Sequence, residues 1–190
     1  MSPVYRLLFP ALWLAWVLYW WLAAQGSKIT QRKEPVGSRL LHMLPLMFAA
    51  YLLWADRIPV AFLNNRLFTW TPWQFWVAAL VTAAGLGFTA WARIHLGRNW
   101  SGTVTIKQDH QLITSGPYAL VRHPIYTGLL LAFLGSALAI GEWRGALAFA
   151  VAAIALWRKL RFEEHWMRQQ FGDAYQSYAK RIAALVPFVL

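Results

Sequence analysis

An arginine, a histidine and a tyrosine lie together in the segment Arg122-His123-Pro124-Ile125-Tyr126. Pro124 suits the first turn of a helix, because its missing N–H would have no intrahelical partner there. His123 then lies just before the helix, where free backbone N–H groups and the positive end of the helix dipole favour a carboxylate. The segment is therefore typical of a polar ligand site, although contact of Arg122 and His123 with lipid headgroups would explain the same residues.

A second cluster contains Glu163 and Glu164, which are two of only seven acidic residues in the chain. Adjacent carboxylates just past a membrane span suit a positively charged ligand. Lys159 and Glu163, and likewise Glu164 and Arg168, are four residues apart, so a solvated helix face with two ion pairs is the alternative. These residues by themselves leave both interpretations open.

Membrane spans must position these clusters. Of the 190 residues, 59% are hydrophobic and only 13% are charged, which is too little polar surface for a soluble domain of this length. Five stretches are long and apolar enough, or nearly so, to cross a bilayer: residues 3–24, 40–55, 73–92, 124–141 and 143–160. We predict an all-α membrane protein of about five transmembrane helices, in one domain over residues 1–190, with the first span retained rather than cleaved as a signal peptide.

The connections between these spans predict how the clusters meet. The segment 141–145 allows only a tight turn, so the last two spans form an antiparallel hairpin. Loop three, about 94–122, is long and polar, and we expect it to fold over the mouth of the bundle. Beyond the last span, the spacing of Phe171, Tyr175 and Tyr178 predicts an amphipathic interfacial helix, which Gly172 can break.

The distribution of charge predicts the orientation. Fourteen of the 18 Lys and Arg residues lie in loop one, in loop three, or at and beyond the end of the last span. The positive-inside rule then places the N-terminus outside and the polar clusters in the cytoplasm, in a multi-pass protein of a prokaryotic cell membrane. Basic residues that flank spans contact anionic lipids, so the net charge of +11 does not indicate nucleic acid. With no cysteine, and with five histidines not at ligand spacing, the sequence predicts no metal site.

Three motifs in order resemble the isoprenylcysteine carboxyl methyltransferase family and its phospholipid N-methyltransferase relatives. They are His110-Gln111-Leu112-Ile113 with Ser115-Gly116-x-Tyr118, then Arg122-His123-Pro124-x-Tyr126-x-Gly128, then Glu163-Glu164 followed by Phe171-Gly172-x-x-Tyr175-x-x-Tyr178. The resemblance covers about residues 91–187, which would be the catalytic half. It implies S-adenosyl-L-methionine as the cofactor and a lipophilic acceptor.

The resemblance also implies roles for particular residues. The implied cofactor-binding residues are His110, Gln111, Leu112, Ile113, Tyr118, His123, Pro124, Ile125, Tyr126 and Glu163. Substrate positioning falls to Arg158, Lys159 and Glu164. Relatives commonly carry arginine at the position of Lys159, and lysine lacks the planar fork that grips a carboxylate. Which basic residue contacts the acceptor therefore stays open.

The resemblance implies carboxyl O-methylation of an isoprenylcysteine-like substrate as the favoured reaction, and such an anionic acceptor needs no general base. The alternative is phospholipid N-methylation, for which Glu163, Glu164 or His123 would act as the base. Further alternatives are an NADPH-dependent sterol-type reductase and a non-enzymatic membrane scaffold. The expected partners are membrane lipids and a lipophilic small molecule or prenylated substrate that enters from the bilayer, with no nucleic acid and no obligate protein partner.

Overall fold

The computed structural model describes residues 3–24, 30–33, 35–69, 71–97, 100, 105–107 and 112–189. Its five helices are α1 (Pro3–Ala24), α2 (Val36–Trp54), α3 (Pro72–Leu96), α4 (Pro124–Ile140) and α5 (Trp143–Arg181). The 3-10 turns Ala61–Asn64 and Gly116–Ala119 lie between them among the described residues, and strands β1 (Thr30–Lys33) and β2 (Thr105–Lys107) form a short antiparallel pair. The all-α class predicted from the sequence is confirmed, with this strand pair as an addition.

Three of the helices are long and apolar enough to cross a membrane: Leu7–Ala24 within α1, all of α2 and all of α3. The fourth, α4, is apolar but has 17 residues. In α5 an apolar first half leads into a charged second half, so this helix of 39 residues continues well beyond the span predicted to end at residue 160. Large apolar side chains that are exposed along α1, α2 and α3 have lipid as their natural solvent.

Small residues let α3 and α4 pack with their backbones nearly in contact. A Cβ atom added to Gly85 would lie 2.5 Å from the carbonyl oxygen of Gly128, and one added to Gly128 would lie 2.5 Å from the carbonyl oxygen of Gly85. Further along the same seam, Gly135 lies against Thr82. Such glycine and threonine contacts replace hydrophobic burial as the means of joining helices within lipid. The seam fixes α4, which begins at the first polar cluster, against the rest of the bundle.

The turn between α4 and α5 is confirmed as the tight hairpin that the sequence predicts. Gly141 ends α4 in the left-handed conformation (φ +65°), which glycine adopts without strain. Arg144 then binds Glu142 at 2.6 Å and donates to the carbonyl oxygens of Leu52 and Ala55 at the end of α2. The hairpin thereby holds α2, since the last carbonyls of a helix need donors from elsewhere.

Two indole N–H groups attach α1 to the seam. Trp13 donates to Ser136 at 3.0 Å, and Trp16 donates to Thr89 at 2.6 Å. At the other end of the contact, Arg93 donates to the Ala23 carbonyl oxygen at the end of α1. These bonds give α1 a fixed position although most of its side chains face outward.

The charged half of α5 folds back onto the protein. Gly172 (φ +51°) interrupts the helix, as the sequence predicts. Beyond it, Tyr175 and Tyr178 are buried, and the Tyr178 hydroxyl donates to the Tyr118 carbonyl oxygen at 2.6 Å. The tyrosines therefore pack against the 3-10 turn Gly116–Ala119, whereas their spacing in the sequence predicts a helix that lies on the membrane surface.

Candidate active site

The two polar clusters meet where α4 begins beside the middle of α5. His123 caps α4, and its imidazole lies between two carboxylates of α5. Its Nδ1 is 3.6 Å from a Glu163 oxygen, and its Nε2 is 3.5 Å from a Glu164 oxygen. These are ion-pair distances, longer than those of well-formed hydrogen bonds. The imidazole also stacks on the Tyr126 ring, with 5.5 Å between centroids and 3° between planes.

Glu163 is the more accessible of the two carboxylates. It accepts a hydrogen bond of 2.6 Å from the Tyr126 hydroxyl, yet 26% of its side chain remains exposed against 3% for Glu164. The Lys159 ammonium lies 5.2 Å from the centroid of the Tyr126 ring, on the side of α5 that also carries Glu163. Glu163 therefore has a phenol, an imidazole and an ammonium around it and still presents surface to a ligand.

Both carboxylate oxygens of Glu164 accept hydrogen bonds from arginines. One of its oxygens accepts from Nε and Nη2 of Arg122, at 2.8 and 2.7 Å, and the other accepts from Arg168 at 3.0 Å. The same Arg122 guanidinium donates to the carbonyl oxygens of Ala179 and Ile182 at the end of α5. Arg122 thus joins the start of α4 to two parts of α5. These contacts favour a structural role for Glu164 over the substrate positioning that the resemblance implied.

The three neighbouring ionisable groups hold one another in their charged forms. Burial by itself would lower the pKa of His123, but the two carboxylates outweigh it and raise that pKa. Burial would raise the pKa of Glu163, but His123 and Lys159 lower it. The pKa of Glu164 falls to about 2, because His123 and Arg122 outweigh the effect of burial. The interactions therefore favour the charged form of each group, an imidazolium between two carboxylates.

Loop three approaches this cluster through the 3-10 turn Gly116–Ala119. Tyr118 is buried there, and its pKa is raised mainly by burial and next by the nearby Glu163. The ring of His95 stacks on Tyr118, and its Nε2 lies 2.9 Å from the Ser115 hydroxyl. At Gly116 (φ +58°) a Cβ atom would lie 2.7 Å from the His95 ring, so the turn needs glycine. The structure thus brings Tyr118 close to the His123 cluster.

The remaining predicted residues divide into three groups. Leu112 and Ile113 are half-buried and lead into the turn, whereas His110 and Gln111 lie outside the described residues. Pro124 is buried, and Ile125 packs against the apolar cluster that contains Leu156 and Leu160.

The two adjacent basic residues of α5 point in different directions. Arg158 donates to the backbone carbonyl and the hydroxyl of Ser38, at 3.2 and 3.3 Å, and therefore faces α2. Lys159 faces Tyr126 and Glu163. Of this pair, Lys159 is the one that belongs to the site.

The backbone N–H groups at the start of α4 differ from what the sequence predicts. The N–H groups of Arg122 and His123 donate to the carbonyl oxygens of Ala183 and Ala184, and those of Tyr126 and Thr127 donate to the His123 carbonyl oxygen. The expectation of free N–H groups for a carboxylate is therefore wrong at His123 and at Tyr126, whereas the Thr127 N–H makes an ordinary intrahelical bond. Residues 182–185 carried no local sign of this contact, since pairing through backbone carbonyls leaves no pattern of side chains.

An all-helical protein with three helices able to cross a bilayer, and with charged groups gathered beside its last hairpin, is a membrane protein with a polar site. Residues 73–174 match the sequence model of the family described as phospholipid methyltransferase. This match covers more than half of the 190 residues, and the chain belongs to that family. The resemblance inferred from the three motifs is confirmed.

Curated relatives extend the comparison. Protein-S-isoprenylcysteine O-methyltransferase B of Arabidopsis thaliana is 36% identical over 104 residues, which are 52% of this chain and 51% of that protein. Protein-S-isoprenylcysteine O-methyltransferase of Schizosaccharomyces pombe is 33% identical over 104 residues, 52% of this chain and 43% of that protein. Methanethiol S-methyltransferase 2 of Bradyrhizobium diazoefficiens is 41% identical over 71 residues, 37% of this chain and 26% of that protein. The chain spans about half the length, or less, of these relatives.

Proposed function

We propose that this protein is an S-adenosyl-L-methionine-dependent methyltransferase of lipophilic, membrane-embedded acceptors, and that it methylates the carboxylate of an isoprenylcysteine-like substrate. The observation that supports this most is the cluster in which the Glu163 carboxylate lies beside the His123 imidazole, the Tyr126 hydroxyl and the Lys159 ammonium. Family membership and the methyltransferase names of the relatives agree with the proposal.

The residues present fit a positively charged nucleotide cofactor. Glu163 keeps a quarter of its side chain exposed while its pKa is low, so it offers a carboxylate to an ammonium or a sulfonium. The aromatic rings of Tyr126 and Tyr118 add faces that attract cations. When bound, the cofactor would supply an electrophilic methyl group: an acceptor carboxylate would form the new O–CH3 bond with its own electron pair while the S–CH3 bond breaks, leaving the neutral thioether S-adenosylhomocysteine, with no proton transfer.

The charges around Glu163 favour an anionic acceptor. The Lys159 ammonium and the His123 imidazole both lie close to the Tyr126 ring. A carboxylate that approaches Lys159 forms an ion pair with its ammonium and is held near Glu163, where the cofactor would lie. Alignment of the reacting atoms is then the main contribution of the protein.

The same charges disfavour acceptors that must lose a proton. An ammonium or a thiol needs a base whose pKa is matched to the reaction. The raised pKa of His123 favours its protonated form, and the lowered pKa values of Glu163 and Glu164 make both poorer proton acceptors. Phospholipid N-methylation stays the alternative, and thiol methylation, as in the name of the Bradyrhizobium relative, faces the same obstacle.

An acceptor screen tests the proposal. The protein purified in detergent would be incubated with methyl-labelled S-adenosyl-L-methionine and with N-acetyl-S-farnesylcysteine, phosphatidylethanolamine or methanethiol. We expect label in the farnesylcysteine, released as methanol by mild base because methyl esters are base-labile. Base-stable label in phosphatidylethanolamine would instead establish N-methylation, and NADPH binding without methyl transfer would revive the reductase alternative.

A further inference from the structure

Residues 182–185, which we call the strap, follow α5 and cross the start of α4. The N–H groups of Arg122 and His123 donate to the carbonyl oxygens of Ala183 and Ala184 at 2.8 and 3.0 Å. Ala183 is buried, and its short side chain allows this close approach of the two backbones. The strap is therefore paired with the backbone that carries the His123 imidazole, and it lies beyond residue 174, where the family match ends.

Thr127 attaches the strap to α4 through its side chain. Its hydroxyl donates to the Leu185 carbonyl oxygen at 2.7 Å and lies 3.3 Å from the His123 carbonyl oxygen. One hydroxyl has one proton, and the shorter, better contact takes it. Leu185 in turn packs near Tyr126, beneath the ring on which the imidazole stacks.

We propose that Thr127 is a positioning residue: its hydroxyl holds the strap, and the strap holds His123 between Glu163 and Glu164. The Thr127 hydroxyl faces the backbone carbonyl oxygen of His123 and the strap, so its effect on the imidazole is indirect. Its effect passes through Leu185 and the two backbone hydrogen bonds to the strap. The consequence for catalysis rests on the proposed function, whereas the geometry of His123 does not.

The charged and titratable groups around the imidazole decide what a displaced His123 would lose. From α5 they are Glu163 and Glu164, with Lys159 and Tyr175 next to these carboxylates. From the start of α4 they are Arg122 and Tyr126, and from the 3-10 turn Tyr118 lies near Glu163. The two carboxylates raise the pKa of His123, so an imidazole that moves away from them titrates at lower pH.

The first test measures His123 directly. NMR titration of histidine-labelled protein in detergent, with His123→Gln to assign the signal, would compare wild type, Thr127→Val and Thr127→Ser. We expect the pKa of His123 in T127V to fall by about half a unit or more, because carboxylate partners account for its raised value, and T127S to stay near wild type. An unchanged pKa in T127V, or equal shifts in both variants, would overturn the proposal, since the hydroxyl would then have no positioning role.

The second test measures cofactor binding, with Ser136→Ala as the matched control. Ser136 is the other aliphatic hydroxyl of α4; it donates to the Ala132 carbonyl oxygen and accepts from Trp13, far from the strap. We expect T127V to weaken S-adenosyl-L-methionine binding by up to about tenfold, the scale of a lost hydrogen bond between neutral groups, T127S to restore it, and S136A to leave it unchanged. Wild-type protein that binds no S-adenosyl-L-methionine would contradict the proposed function but leave the NMR titration to decide the role of Thr127.

Discussion

The Tyr126 hydroxyl and the Glu163 carboxylate, on different helices and 37 residues apart, are joined by a hydrogen bond of 2.6 Å. Tyr126 carries the His123 ring on one side and lies near the Lys159 ammonium. The bond therefore connects the start of α4 to the accessible carboxylate of α5, and it fixes the position in which Glu163 presents its exposed surface.

Tyr126→Phe should weaken S-adenosyl-L-methionine binding about tenfold, because a hydrogen bond to a charged group contributes about 1.5–3 kcal/mol. The substitution keeps the ring that stacks on His123, so the packing is retained. Calorimetry in detergent would measure the affinity. Tyr51→Phe is the control, since Tyr51 is half-exposed on α2. Equal affinity for Tyr126→Phe and wild type would show that Glu163 needs no help from the phenol.

Lys159→Met should raise the KM for an anionic acceptor about tenfold, the scale of a lost charge-assisted contact, while Lys159→Arg keeps it close to wild type. The adjacent Arg158→Met is the matched control, because Arg158 binds Ser38 of α2. We expect this second variant to change thermal stability more than KM. Initial rates at varied acceptor concentration separate these effects, and a larger KM change for Arg158→Met would reverse the assignment.

The stability of the protein in detergent should depend on pH through His123. Its pKa is raised in the folded state, so the ion pairs contribute fully below about pH 6.5, the ordinary histidine value, and are lost as pH rises through the folded pKa. Thermal unfolding between about pH 5 and 9 would follow this loss. In His123→Gln the alkaline decline should be smaller, and an identical decline in both proteins would exclude His123 as its source.

The ion pair of Glu164 with Arg122 predicts that the protein also loses stability as the pH falls into the acid range. The folded pKa of Glu164, about 2, lies below the ordinary value of 4.5, so its contribution is present above that ordinary value and is lost as pH falls towards 2. Glu164→Gln should remove about 3 kcal/mol or more, because Arg122 would remain buried without its carboxylate. Denaturation at neutral pH would measure this loss. A variant as stable as wild type would indicate that Arg122 finds other partners.

Gly85→Ala should destabilise the bundle by about 1–3 kcal/mol, the cost of overpacking a tight contact. The new methyl group would lie 2.5 Å from the Gly128 carbonyl oxygen, which belongs to a helix backbone and cannot move alone. Gly87→Ala is the matched control in the same helix, because a Cβ atom there has no neighbour within 4 Å. Thermal unfolding of the two variants in one detergent compares them, and equal stability would contradict the close seam.

The predicted orientation can be tested with single cysteines, because the chain has none of its own. Thr69 and Ser177 are both exposed, and they lie at opposite ends of the bundle by the predicted topology. In intact cells, an impermeant maleimide should label Thr69→Cys, whereas Ser177→Cys should react only after permeabilisation. The reverse pattern would place the candidate active site outside the cytoplasm.

Local patterns predicted much of this protein. Apolar length predicted the helices, and Gly141 and Gly172 predicted the two interruptions of the last hairpin, because a helix span and a left-handed turn depend on nearby residues alone. The motif order predicted the family. It also predicted that His123 and Glu163 would meet, since adjacent antiparallel helices bring the start of one beside the far part of the other.

The roles of neighbouring residues were decided by the tertiary structure. Arg158 and Lys159 differ by about 100° around α5, as do Glu163 and Glu164, so the rotation of α5 against α4 determines which of each pair faces the site. Packing of Leu156 and Leu160 around Tyr126 sets that rotation. The strap is held by hydrogen bonds between backbone groups about 60 residues apart in sequence. Composition and residue spacing do not encode such contacts, so the strap could not be predicted.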